Sequence, residues 1–250
     1  MIELELLSWI RSKRFLIIFA IFLFSGFSSP LMAYYSNDIL NNFNSNEGTK
    51  VIMQDPQWKD LFTSYFKNAS QLVMLICAYV VADTCRLGKD KSMQLYYKTR
   101  AINSGRIFYP KLTISLFIIA LGAVIGSLST LYVTWVFFDN FDLQRALISL
   151  FIQLIALLIF STISATISFW INSPFISALI VEALVLLSMF LNNIDDFRRW
   201  SPTTLLRPEY VLSGDIEYKE IVCQVIIGII ICITCLIITY LRPLRVKTKL

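Results

Sequence analysis

"LTISLFIIALGAVIGSLSTLYVTWVFF", residues 112–138, runs without a single charged side chain. The hydrocarbon core of a bilayer is about 30 Å thick, and a helix crosses it with roughly 20 apolar residues. This stretch is long enough to cross, and its small residues keep a helical rhythm. Gly122, Gly126 and Ser129 fall on one face. That small-xxx-small pattern lets two helix backbones approach closely inside a membrane.

Five more apolar runs lie on either side of it. Together the spans are Phe15–Tyr35, Leu61–Asp83, Leu112–Phe138, Ala146–Trp170, Pro174–Leu191 and Ile221–Leu241. Lys67 and Asn68 interrupt the second, and Lys67 is placed to snorkel outward. The first is about twice as long as a signal-peptide core and is followed by further spans, so it reads as an uncleaved anchor. In the first span Gly26 and Pro30 are expected to bend the helix near its outer end. On the fourth, Ser161, Ser164 and Ser168 repeat the small-residue pattern. The fold class is therefore an all-α membrane protein with six transmembrane helices, a single transmembrane domain over residues 1–250.

Composition agrees. Hydrophobic residues make up 56% and charged residues only 16%, against about 25% charged in an ordinary globular domain. The net charge of +5 is not spread along a soluble face, which argues against a nucleic-acid partner. Basic residues gather instead at the ends of apolar runs. Seven lie in 85–111, three before Phe15 and four in 242–250. The opposite side holds eight, spread over longer loops and outnumbered by acids. Lys and Arg favour the cytoplasm, so both termini and the loop 85–111 are expected inside: N-in, C-in. Cys85 is then expected to react with thiol reagents from the cytoplasmic side.

The chain has no histidine, which removes His-based triads and His metal ligation. No GxxxxGK[ST] motif occurs, so no phosphate-cradling loop is expected. Five cysteines do not form a disulfide framework, and Cys232-x-x-Cys235 lies on a lipid-embedded helix, where packing is the plainer role. No catalytic, cofactor-binding or metal-ligating residues are assigned.

Four further regions stand out. In 1–14, Ile2, Leu6, Trp9 and Ile10 share a helical face, which fits a helix lying in the membrane interface or a plain extension of the first span. The outer loop 36–67 is polar and rich in Asn, and carries no evident chemistry. The segment 192–220 sets Trp200, Leu205, Leu206 and Tyr210 among charges, broken by Pro202, Pro208 and Gly214. Short helices dipping into the outer leaflet and a solvated loop are both compatible. Glu182 sits mid-span in the fifth helix. A charge at that depth costs at least ~2.5 kcal/mol, so it is expected to face the bundle interior, a partner subunit or a wet cavity. It serves either a translocation pathway or packing.

Six spans, an N-terminal interfacial helix, a basic loop between spans two and three and outer helices between spans five and six resemble the membrane subunit of ATP-binding-cassette exporters of the ABC-2 type. Locally, Asp83 ending the second span, Gly88 after it and Lys111 opening the third are similar to that family. "SKRFLIIFAIFLFSGFSSPLMAYY" looks like its first span. Where relatives carry a Pro-Ile-Ser-Arg-like stretch, this chain has Ala101-Ile102-Asn103-Ser104.

The resemblance implies a multi-pass plasma-membrane permease that binds no ATP itself. ATP and Mg would be held by a separate ABC ATPase subunit, and a second membrane subunit, identical or paralogous, would complete the pathway. The loop would hold the ATPase-coupling helix, with Asp83, Arg86, Gly88, Met93, Leu95, Tyr96, Tyr97 and Arg100 as its residues. Met93, Leu95, Tyr96 and Tyr97 form an apolar patch among charges, which suits docking; a loop binding anionic lipid heads is the alternative. A channel or secondary transporter would need more intramembrane polar groups or inverted repeats. A scaffold or immunity protein remains compatible with the sequence.

Overall fold

A computed structural model describes residues 2–39, 56–88, 90–100, 103–192, 194–214 and 218–242. Among them there is no strand. Six helices are long and apolar enough to cross a membrane: α2 (Arg14–Tyr34), α3 (Trp58–Cys85), α5 (Gly105–Phe137), α6 (Leu143–Ile171), α7 (Pro174–Leu191) and α10 (Tyr218–Leu241, apolar from Glu220). The shorter helices are α1 (Ile2–Arg11), α4 (Lys91–Arg100), α8 (Asp195–Trp200) and α9 (Glu209–Ser213), with a 3-10 turn at Pro202–Leu206. Most of the segment 201–214 is therefore packed structure: Leu205, Leu206 and Leu212 are buried.

Local chemistry sets the ends. The side chain of Asp142 caps α6 by accepting from Arg145 N at 3.1 Å. Asn172 ends the same helix in the left-handed conformation, φ 58°, which Asn tolerates better than most residues. Pro174 then opens α7 at a position where its missing N–H costs nothing.

The spine is α2 against α5, at the contact the small residues foretell. A Cβ on Gly26 would lie 2.5 Å from the carbonyl oxygen of Gly126, and one on Gly122 would lie 2.7 Å from the Phe22 ring. Pro30 stays inside α2. Having no N–H, it leaves the carbonyl of Gly26 without its helical donor. Thr130 Oγ1 on α5 lies 3.3 Å from that oxygen. Two of the three serines on α6 bond across to α3: Ser164 donates to Ala78 O at 2.9 Å and Ser168 to Ala82 O at 2.7 Å. Ser161 is buried with no partner.

Two expectations change. Trp9 leaves the exposed face of α1 and is buried at 1% exposure, while Ile2, Leu4, Leu6, Leu7 and Ile10 stay exposed. A broad apolar face remains, and the tryptophan is spent on the core. Cys85 is fully buried, so it cannot report its side of the membrane to a thiol reagent. Of the outer loop 36–67, residues 40–55 lie outside the described residues, and 58–67 are not loop but the start of α3.

Candidate functional site

One end of the bundle gathers the N-termini of α2, α5 and α7, the C-termini of α3, α6 and α10, and the short helix α4. It is the end that carries most of the basic residues. Asp83, in the last turn of α3, is its centre. Its carboxylate pairs with Arg14 from the first turn of α2 and with Arg86 at 2.8 Å. Arg14 also donates to Thr84 Oγ1 at 3.1 Å. Lys111, near the start of α5, donates to the Arg86 carbonyl at 3.4 Å. One acid thus gathers two cations from separate segments, and a third cation holds the backbone between them.

Gly88 makes the second joint. Its N–H donates to Asn172 Oδ1 at 3.4 Å, and its carbonyl accepts from Asn172 Nδ2 at 3.2 Å and from Gln94 Nε2 at 3.3 Å. A Cβ there would lie 3.0 Å from the backbone N of Gln94, so the close approach of the loop to α4 favours glycine. The turn after α6 is thereby fastened to the loop after α3. A third joint lies at the far end of the loop. Ser104 Oγ lies within 3.0–3.1 Å of the carbonyls of Thr239, Tyr240 and Arg242. Its single O–H has these three carbonyls at the C-terminus of α10 as acceptors to share. Arg242 in turn donates to Phe169 O and stacks over the Phe169 and Trp170 rings. Burial lowers its guanidinium from the ordinary value.

Between α1, the end of α3, α4 and the start of α5 lies a cleft of about 220 Å3. Glu5, Asp83, Arg14, Arg86 and Lys111 line it, with Met93 and Tyr97 from α4. Arg86 Nε is buried there without an acceptor. The cleft mixes apolar surface with charge, and its charged side chains are net positive.

The expected docking patch is divided. Met93 and Tyr97, one helical turn apart, face the cleft. Tyr97 packs against the core, and the Lys111 ammonium lies 6.0 Å from its ring centroid. Leu95 stands about 200° round the helix from Met93 and is 64% exposed; Met93 is 49% exposed. Tyr96 and Arg100 lie on the same helix, but their side chains fall outside those described. Asp83, Arg86 and Gly88 come together as the hinge of the loop. Glu182 does not join them. It is half-buried on α7 beside the buried stripe Ala178, Val181 and Val185, with Oε2 lacking a partner.

Arg14 and Lys111 contribute side chains that the sequence marked only as positive charge or as a family-like position, Ser104 was marked only as part of a stretch that departs from the family pattern, and Asn172 carried no signal at all. Their partners are distant in sequence, and no local pattern announces such pairs. No family model, no curated protein and no solved structure matches this chain.

Proposed function

We propose that this chain is the membrane-spanning permease subunit of an ABC-2 type exporter in the plasma membrane. It is driven by a separate ABC ATPase subunit that holds ATP and Mg. Two membrane subunits, identical or paralogous, enclose the pathway. The observation that carries this reading is the position of α4. It stands at the basic end with Met93 and Leu95 exposed, where charged neighbours make poor contact for lipid tails. Its inner side is tied through Gly88 to Asn172 on α6 and through Tyr97 to the core. α4 is thereby joined to the loop after α3, to the turn after α6 and to the start of α5. The exposed apolar face of α1 supports the same reading, as an interfacial helix beside the docking surface.

Replacing both exposed anchors, Met93→Ala with Leu95→Ala, leaves every basic residue of the loop in place, so insertion is expected to be normal. Truncating an interface anchor can cost about 2 kcal/mol, roughly thirtyfold in affinity. The ATPase subunit is expected to be lost on purification in mild detergent, while Asn140→Ala at the other end retains it. Undiminished recovery of the ATPase removes α4 as the coupling site, and absence of any ATPase from the wild-type preparation removes the exporter reading. For orientation, Ser92→Cys in a cysteine-free background is exposed on α4. It is expected to react with a membrane-impermeant thiol reagent only after the membrane is opened.

A further inference from the structure

The opposite end of the bundle holds a smaller cavity, about 160 Å3, between α3, the end of α7 and the segment 203–210. Arg207, which ends the 3-10 turn, reaches into it. Its Nε donates to Ser70 Oγ at 2.8 Å. Ser70 sits on a π-helical turn, Ala69–Val73, that interrupts α3, and such turns gather at functional sites. Glu182 and Glu209 both act electrostatically on Arg207. Yet among the described residues no carboxylate lies within ion-pair distance of it.

The acceptors are equally unspent. Asn192 Oδ1 and Glu209 Oε1 belong to residues on the cavity wall and are buried without a donor. Glu182 Oε2, on the α7 face that reaches Met189 roughly two turns later, is a third. Burial raises the Glu209 carboxyl above its ordinary value, against the lowering effect of Lys67 and Arg207. Burial also lowers the Arg207 guanidinium. Both groups are partly stripped of water and neither has closed on the other.

One side therefore needs donors, and the other offers a cation, Arg207, with no counter-ion among the described residues. A group with a primary ammonium and an anion meets both needs, since an ammonium offers three N–H donors and no acceptor and phosphate suits a guanidinium. The volume is well below the ~300–1,000 Å3 of sites for drug-sized molecules. The surroundings point to lipid: Phe190, Ile194 and Trp200 flank the cavity in sequence and are 74%, 56% and 62% exposed. We propose that this cavity binds the zwitterionic headgroup of an aminophospholipid, its ammonium on Glu209 and Asn192 and its phosphate on Arg207 and Lys67. A choline headgroup has no N–H to give, and a glycerol headgroup has no cation. The site does not depend on the exporter reading.

The test uses full-length protein in detergent, equilibrated with equal amounts of phosphatidylethanolamine, phosphatidylcholine and phosphatidylglycerol, with bound lipid counted by native mass spectrometry. At least tenfold preference for phosphatidylethanolamine is expected. It falls below threefold in Glu209→Gln, which keeps the shape and removes the charge, whereas Lys67→Gln, which leaves the Arg207–Ser70 bond intact, lowers retention of all three lipids together, because each carries the phosphate. Helix content and elution volume confirm that both variants are folded. Equal retention of the ethanolamine and choline lipids overturns the proposal, because the unspent acceptors then meet only water. Undiminished preference in Glu209→Gln, or undiminished lipid retention in Lys67→Gln, overturns the assigned residues. Displacement by soluble glycerophosphoethanolamine as effective as by the lipid overturns the lipid source.

Discussion

The cluster around Asp83 at one end of this bundle and the cluster around Arg207 at the other use the same residue types to opposite effect. At the basic end Asp83 is closed on Arg14 and Arg86, and Gly88 and Ser104 are each bonded to the end of another span. At the other end Arg207, Glu182 and Glu209 lie near one another without closing. A closed ion pair fixes the geometry between its segments. An open set leaves desolvated charge that another molecule can satisfy. The first arrangement suits a part that must transmit force, the second a part that must receive a ligand.

The most damaging test attacks what both ends share. Gly26→Leu forces a side chain into the space held by the Gly126 carbonyl, 2.5 Å from the new Cβ. Overpacking costs ~1–3 kcal/mol or more, and this site has rigid backbone as its neighbour, so the effect is expected at the upper end. Loss of monodisperse protein from both ends at once is the measurement. A mild effect would mean that α2 and α5 are not the common spine.

Next comes the asymmetry itself. Asp83→Asn leaves two guanidiniums without their counter-charge, and hydrogen bonds to charged groups are worth ~1.5–3 kcal/mol. Partial exposure of all three side chains reduces this by solvent screening, so roughly 1–2 kcal/mol is expected. Glu182→Gln, at a carboxylate that closes no pair, is expected to change thermal stability much less. Equal losses in the two variants would erase the distinction between a closed and an open end.

The smallest effect is a pH dependence. The Glu209 carboxyl is raised above its ordinary 4.5, first by burial. The folded protein therefore holds this proton more tightly than the unfolded chain does. Its contribution to stability is greatest below 4.5 and is lost as pH rises through the raised value. The difference in melting temperature, wild type minus Glu209→Gln, is expected to fall as pH rises over that window. A flat difference would show Glu209 to be as solvated as a surface acid.

Much of this was legible in the sequence. Six apolar runs gave six spanning helices, because in lipid a helix satisfies its own backbone and a run of about 20 apolar residues has no better solution. The face of Gly122, Gly126 and Ser129 was readable for a similar reason, since helical spacing is local and small residues mark a close contact. Positions 93–97 were readable as a helix surface but not as a divided one. Which side of α4 met the core depended on Lys111 and the cleft beneath it.

The sequence by itself determined the number of spans, the end at which basic charge collects and the depth of Glu182. Each is a property of residues near one another along the chain. Only the tertiary structure decided that Asp83 closes on Arg14, that Asn172 clasps Gly88, that Ser104 meets the end of α10 and that Arg207 bonds Ser70 and closes on no carboxylate among the described residues. These depend on groups tens of residues apart being brought together by packing. An ion pair is a matter of a few ångströms, and the difference between closed and open is set by where the helices come to rest.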